Sequence, residues 1–301
     1  MHSRSMALSI AEFAALLEQE LPSESASEGD RTGLQIQAGQ QTVHSVLLCY
    51  EVTEEVIQEA RQRDCNLIVA FHPLIFHPLL ALTEEDRVGR LCSQLIRYGI
   101  ALWVVHTRFD AHPEGTSAAL AAALGLRVRA PLLPLPQLPG YGMGVIAEAE
   151  PPLPAEEFLS RVQERLGAPL RYAPGVQEWI GSVALLGGSG GSFLPAALRC
   201  GVDAFVTGDL KYHAFHAADR RLWLIDAGHA ETERFVVPAL NRLLRRVLPE
   251  QIPVHCATQW HSPLRWHPPY PRVGSTDEAS SSDADATVLP GAHRHVGPSL
   301  G

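Results

Sequence analysis

The segment Asp226-Ala227-Gly228-His229-Ala230-Glu231-Thr232-Glu233 sets an imidazole and a carboxylate four residues apart at the start of a helix. Positions i and i+4 share a helix face, so His229 and Glu233 can grip one cation. Glu231, two residues from each, points elsewhere. The plainer alternative is an acidic first turn that complements the helix dipole. Two more segments carry ligand-type residues just past an apolar strand. His72 lies in Phe71-His72-Pro73-Leu74-Ile75-Phe76, where a core histidine is the bland reading. Asp110 closes the run His106-Thr107-Arg108-Phe109-Asp110, where a turn aspartate is the bland reading. His106 is placed to orient a ligand from behind. A set of His72, Asp110, His229 and Glu233 mixes nitrogen and oxygen donors. It suits Zn, Fe, Mn, Co or Ni better than calcium, which prefers all-oxygen cages. A metal so held can bring the pKa of bound water down to about 7 and supply hydroxide.

Two other features belong to the same chemistry. Lys211 is the only lysine in the chain. Its compact ammonium can approach an oxygen where the fork of Arg cannot. With His213 it forms a pair of candidate proton carriers in Thr207-Gly208-Asp209-Leu210-Lys211-Tyr212-His213. The run Gly187-Gly188-Ser189-Gly190-Gly191 follows a strand and opens a helix, so Gly188, Ser189 and Gly190 are candidates for cradling an anion with backbone N–H groups. The run lacks the lysine of a P-loop. It also lacks a well-placed acidic partner for a dinucleotide ribose, Asp203 and Asp209 being the nearest.

The elements that must position these residues follow from apolar patterning. Short apolar runs at 45–50, 66–70 and 101–105 alternate with helical patterns, and a second series follows at 143–147, 182–186, 204–207 and 222–225. This order predicts an α/β protein with mostly parallel sheets and helices over their faces. Ligands in such sheets gather beyond the carboxyl ends of the strands, where all the candidate residues fall. A first lobe is expected over 6–129, a Pro-rich linker over 130–140 (APLLPLPQLPG), a second lobe carrying His229 and Glu233 over 141–256, and a disordered low-complexity tail over 257–301. The tail histidines, His293 and His295, are read as incidental. Met1–Ser5 reads as a tag or over-called start, with Met6 as the functional one.

The chain has 301 residues, 46% hydrophobic and 19% charged, with a net charge of −9. That provides a sizeable core and no basic footprint for nucleic acid. No apolar run reaches the ~20 residues of a membrane span. Five scattered cysteines without a Cys-x-x-Cys pair argue against a zinc ribbon and suit a reducing, cytoplasmic setting.

Taken in order, Asp30–Ile36 (DRTGLQI), Phe71–Phe76, His106–Asp110, Gly187–Gly190, Thr207–His213 and Asp226–Glu233 resemble the GTP cyclohydrolase 1 type 2 homolog family of dinuclear metal-centre hexameric proteins. The resemblance implies two similar α/β lobes with a metal cleft between them, a toroidal homohexamer and two divalent metals, bridged in part by the carboxylate matching Glu233. It also exposes a departure. Phe71 stands where the family has a first histidine before His72-Pro73, so a family ligand is missing. The metal count becomes one or two per chain, with His77, His112 and Glu51 as nearby replacement donors. The resemblance implies a metal-dependent hydrolase acting on a nucleotide or phosphate compound, GTP by the family name. The competing expectation is a non-enzymatic metal-binding scaffold or regulatory partner with a degraded, single-metal site.

Overall fold

The computed structural model describes residues 8–259 and 262–264. The expectations for Met1–Ser5, for most of the tail and for His293 and His295 fall outside those residues. Thirteen strands are numbered in chain order: β1 Leu8–Ser9, β2 Gly33–Ile36, β3 Thr42–Val43, β4 Val46–Cys49, β5 Leu67–Ala70, β6 Ala101–Val104, β7 Arg127–Pro134, β8 Gly142–Pro154, β9 Arg171–Ala173, β10 Trp179–Ser189, β11 Ala204–Gly208, β12 Trp223–Asp226 and β13 Val254–Cys256. Ten α-helices run α1 Ile10–Glu20, α2 Glu54–Gln62, α3 Arg87–Tyr98, α4 His106–Asp110, α5 Thr116–Ala123, α6 Ala155–Leu166, α7 Leu194–Cys200, α8 Tyr212–Ala218, α9 His229–Glu233 and α10 Val236–Val247.

Two sheets carry the fold. The first has the order β13-β4-β5-β6-β2, parallel except for β2. The alternation of a strand sends Leu48, Val69 and Trp103 to one face, against Phe13 and Leu17 of α1 and Leu240 and Leu244 of α10. Leu47, Ile68 and Leu102 go to the other face, against Ile57 of α2 and Leu95 of α3. Both faces are covered, which is why these strands read as unbroken apolar runs. Each fully buried Leu, Ile or Phe contributes about 1.5–3 kcal/mol. Helix ends are fixed locally. Ser9 and Glu12 form a capping box at α1, with Ser9 N donating to Glu12 Oε2 at 2.8 Å and Glu12 N donating to Ser9 Oγ at 3.1 Å.

The second sheet has the order β7-β8-β10-β11-β12-β9, parallel at its centre and antiparallel toward its edges. Leu120 of α5 and Phe158 of α6 cover one face and Ala197 of α7 covers the other.

Three segments differ from the sequence-based division. Residues 127–134, which include the first half of the expected linker, form an edge strand paired with β8. An edge strand tolerates proline because its outward N–H positions need no partner. The segment 236–256 was expected in the second lobe, but α10 and β13 return to the first, β13 pairing with β4. The first residues of the expected tail are docked there too. Ala257 N donates to Leu48 O at 2.8 Å, and the amides of Thr258 and Gln259 reach Glu59 Oε2 at 2.8 and 3.1 Å. The helix that begins at His229 ends at Glu233, and α10 starts anew at Val236 after a break at Arg234 and Phe235. Pro238 explains the break, since its ring clashes with the carbonyl four residues back and it has no N–H to donate.

Candidate metal centre

The carboxyl ends of the two sheets face each other across a cleft of about 250 Å³. From the first sheet, backbone pairing continues one or two residues past the strands. Phe71 N donates to Cys49 O at 2.9 Å, His72 N to Tyr50 O at 3.0 Å and His106 N to Phe71 O at 3.0 Å. This lines up Tyr50, His72 and His106 in a row. From the second sheet, Gly228 at φ +85° turns β12 sharply into α9 and delivers His229 and Glu233 on one helix face.

His72, His229 and Glu233 converge, each offering one ligand atom within 4.8 Å of the others. His229 Nε2 lies 3.1 Å and His72 Nε2 3.5 Å from Glu233 Oε2. Asp110 lines the same cleft with His106, Ser189 and Phe193 but stands outside that trio. Its Oδ1 is sealed from solvent with no hydrogen-bond partner. A buried orphan carboxylate oxygen is costly, and beside two imidazoles and a second carboxylate it fits a cation. The donor set is that of a divalent transition metal.

The surrounding electrostatics treat the two imidazoles differently. Burial, outweighing the pull of Glu233, holds the His72 imidazole down at about 4, in the neutral form that ligates metals. His229 is held up at about 9, first by its hydrogen bond to Glu233 and then, against burial, by the Glu233 charge and Asp209. Its Nδ1 meets Asp209 Oδ2 at 2.6 Å, which leaves Nε2 directed at Glu233. His106 is fixed likewise, its Nδ1 2.7 Å from Asp30 Oδ1. Burial alone would lower His106, but the Asp30 hydrogen bond and the Asp110 charge raise it. Burial opposes the ionisation of Asp30, yet His106 and Thr107 together bring it down to about 2.

Asp110 is pushed up to about 7 by burial and then by the Glu233 charge. Its ordinary value is about 3.9. The metal-free native state therefore binds a proton at Asp110 that the unfolded chain has already released, so this group's contribution to stability falls as pH rises from about 4 to about 7, while that of His72, whose native form has shed its proton by about 4, rises across much of the same window. Asp110→Asn carries no charge to bury. Thermal melts of chelator-stripped protein are expected to show the melting temperature of Asp110→Asn gaining on that of wild type between pH 5 and 7.5. The variant should melt higher than wild type at pH 7.5, with weaker metal binding.

Glycine at 188 is required by the close approach of Glu233. A Cβ added there would lie 2.3 Å from Glu233 Oε1, and Gly188 sits at φ +72°. The expectation of an anion cradle at Gly188–Gly190 meets a different arrangement. β10 runs on through Ser189, the Gly188 N–H is donated to Thr232 Oγ1 at 2.9 Å, and Gly190 packs so closely on Thr207 that a Cβ would lie 2.1 Å from its hydroxyl. These glycines serve close packing behind the carboxylate. Lys211 and His213 are exposed at the start of α8, and neither lines the cleft.

Three contributors escaped the residue-level reading. Tyr50 donates its hydroxyl to Glu233 Oε2 at 2.5 Å, and burial together with the Glu233 charge keeps its phenol well above the usual range. Asp209, within the matched motif Thr207–His213, orients His229 from the left-handed backbone region at φ +56°. Asp30, within a matched motif, orients His106. A legible signal was available for one pairing. His106–Asp110 and His229–Glu233 share the same His-x-x-x-acid spacing, and both form five-residue helices facing the cleft.

The family description Duf34/NIF3 (NGG1p interacting factor 3) matches residues 8–263. The chain belongs to this family. It is 39% identical over 206 residues to a GTP cyclohydrolase 1 type 2 homolog of a Nostoc species, covering 67% of this chain and 76% of that one. It is 35% identical over 231 residues to the homolog of Streptomyces coelicolor, covering 74% and 81%. Among solved structures, a Staphylococcus aureus hypothetical protein superposes with a TM-score of 0.79 at 27% identity, over 86% of this chain and 99% of that one. The resemblance drawn from the motifs and the α/β class therefore hold for this Duf34/NIF3 chain. Among its described residues no helix is long and apolar enough to cross a membrane.

Proposed function

We propose that this Duf34/NIF3 protein binds a divalent transition metal through His72, His229 and Glu233, with Asp110 alongside, and hydrolyses a nucleotide or phosphate-containing substrate in the cleft. The observation that carries the reading is the convergence of two imidazole nitrogens and a carboxylate oxygen within 4.8 Å, beside the orphaned Asp110 oxygen. When bound, such a cation supplies a hydrolytic nucleophile from water near neutral pH. The chain's own residues do the rest. Asp209 holds the His229 ring and Asp30 the His106 ring, so both imidazoles are fixed before substrate arrives. His106, lining the cleft with its Nδ1 engaged, presents Nε2 as a proton carrier for the reacting groups. Lys211 and His213, exposed beyond the cleft lining, stay in the proposal only as groups that meet a substrate extending out of it.

The name borne by the curated relatives suggests GTP, with water added at the purine ring and formate released. The test incubates the metal-loaded full chain with a panel of nucleoside phosphates including GTP, reading formate and inorganic phosphate. Metal-dependent release that disappears in a folded Glu233→Ala variant supports the hydrolase. The second reading, a non-enzymatic metal-binding scaffold, is favoured by Phe71, whose ring offers no ligand. No turnover across the panel, with Glu233→Ala changing only metal content and melting temperature, selects it. Self-association as a homohexamer in the cytoplasm belongs to the same proposal. The exposed Phe76, Leu79, Leu80 and Leu82 of the loop after β5 support it as apolar surface available for contact, and light scattering of the same preparation should read a mass of six chains.

A further inference from the structure

Tyr50 follows the last residue of β4 and Phe71 follows the last residue of β5. Phe71 is 0% exposed and Tyr50 8%. Their rings stack with centroids 5.9 Å apart and planes 21° from parallel. From this stack the Tyr50 hydroxyl crosses to α9 and donates to Glu233 Oε2 at 2.5 Å. His229 Nε2 and His72 Nε2 approach the same oxygen at 3.1 and 3.5 Å. Three groups thus converge on one carboxylate oxygen, while Oε1 lies against Gly188.

We propose that Tyr50 and Phe71 restrict this centre to one metal ion per chain, Tyr50 by engaging Glu233 Oε2 and Phe71 by filling the space beside it with ring carbon. The inference rests on the metal-site reading above. A carboxylate that bridges two cations must present a lone pair to each. Here one lone-pair direction of Oε2 is occupied by the phenol, and the backbone of Gly188 walls off Oε1. Phe71 stands with its centroid 4.8 Å from that of His72 and edge-on to His106 at 5.6 Å, so the ring packed against both imidazoles offers carbon and no donor. The replacement donors near in sequence stand elsewhere. His77 is exposed, His112 Nδ1 accepts the Glu114 amide at 3.0 Å, and Glu51 faces Arg87 at 3.6 Å. Tyr50 acts through Glu233 and is a positioning residue.

The test uses the untagged full chain, stripped by chelator, reloaded with Mn(II) and desalted. Manganese per chain is measured by elemental mass spectrometry, and spin coupling by electron paramagnetic resonance. Wild type is expected to hold about one ion with an uncoupled spectrum. Tyr50→Phe should also hold one, bound about 10-fold or more weakly because Glu233 has lost a partner that orients it. Phe71→His alone should stay near one, since Tyr50 still engages Oε2. Tyr50→Leu with Phe71→His should take up a second ion and show a coupled spectrum. Two ions in wild type, or in Phe71→His alone, overturn the inference and leave the metal site standing. So does a double variant that melts like wild type and stays at one. If the double variant fails to fold, the wild-type count and the Tyr50→Phe affinity still decide. No manganese in any variant overturns the metal site itself.

Discussion

Glu233→Ala should abolish stoichiometric metal binding while leaving a folded chain. Glu233 is 4% exposed and is the carboxylate on which both imidazoles and the Tyr50 hydroxyl converge. Changing a partner outside the ligands typically costs about 10–100-fold in affinity, and removing a ligand from a set of three should exceed that. The fold should persist because the replacement also removes a buried charge that raises Asp110, so part of the lost hydrogen bonding is offset. Titration of chelator-stripped protein with Zn(II), alongside thermal melts, checks both halves. Glu233→Gln separates charge from shape. It keeps the volume, so retained metal affinity in that variant would mean that Glu233 is not a ligand.

The second large effect is expected at Gly188→Ala. The new Cβ would stand 2.3 Å from Glu233 Oε1 and 3.1 Å from its Cδ, at a backbone φ of +72°. Left-handed backbone costs an L-residue about 1–2 kcal/mol, and overpacking a tight interior adds about 1–3 kcal/mol. The site can relieve the clash only by moving the carboxylate, so stability and metal affinity should fall together. Gly191→Ala is the control. Its Cβ would meet nothing closer than Leu210 Cδ2 at 3.6 Å, and a change of about 0.5 kcal/mol or less is expected. Urea melts of the two variants, with and without Zn(II), make the comparison. Equal losses would show that the tight approach at Gly188 is not what shapes the site.

Strand positions and ligand candidates were legible because buried parallel strands leave unbroken apolar runs and because ligands follow their carboxyl ends. Leu47–Cys49, Leu67–Ala70 and Leu102–Val104 are such runs, and His72, His106 and Asp110 follow them. The return of α10 and β13 to the first sheet was not legible. An amphipathic helix announces that it has an apolar face, but not which sheet covers it. Residues 127–134 misled for a related reason, since proline density excludes a central strand and leaves an edge strand open. Tyr50 was hidden because an aromatic next to a buried strand looks like core, and half of it is. Only the meeting of β4 with α9, far apart in sequence, gives its hydroxyl a carboxylate to bind. Asp209 was hidden in the same way, its role depending on how closely the ends of β11 and β12 approach. A Cβ on Gly208 would lie 2.8 Å from the nitrogen of His229.

The central claim is that His72, His229 and Glu233 hold one divalent cation between the two lobes. Anomalous X-ray diffraction at the zinc edge, on crystals of untagged protein grown with Zn(II), tests it most directly. A peak is expected about 2.0–2.2 Å from His72 Nε2, His229 Nε2 and a Glu233 carboxylate oxygen. Crystals with this cleft open to solvent and no anomalous peak in it, or with zinc bound only elsewhere, would contradict it.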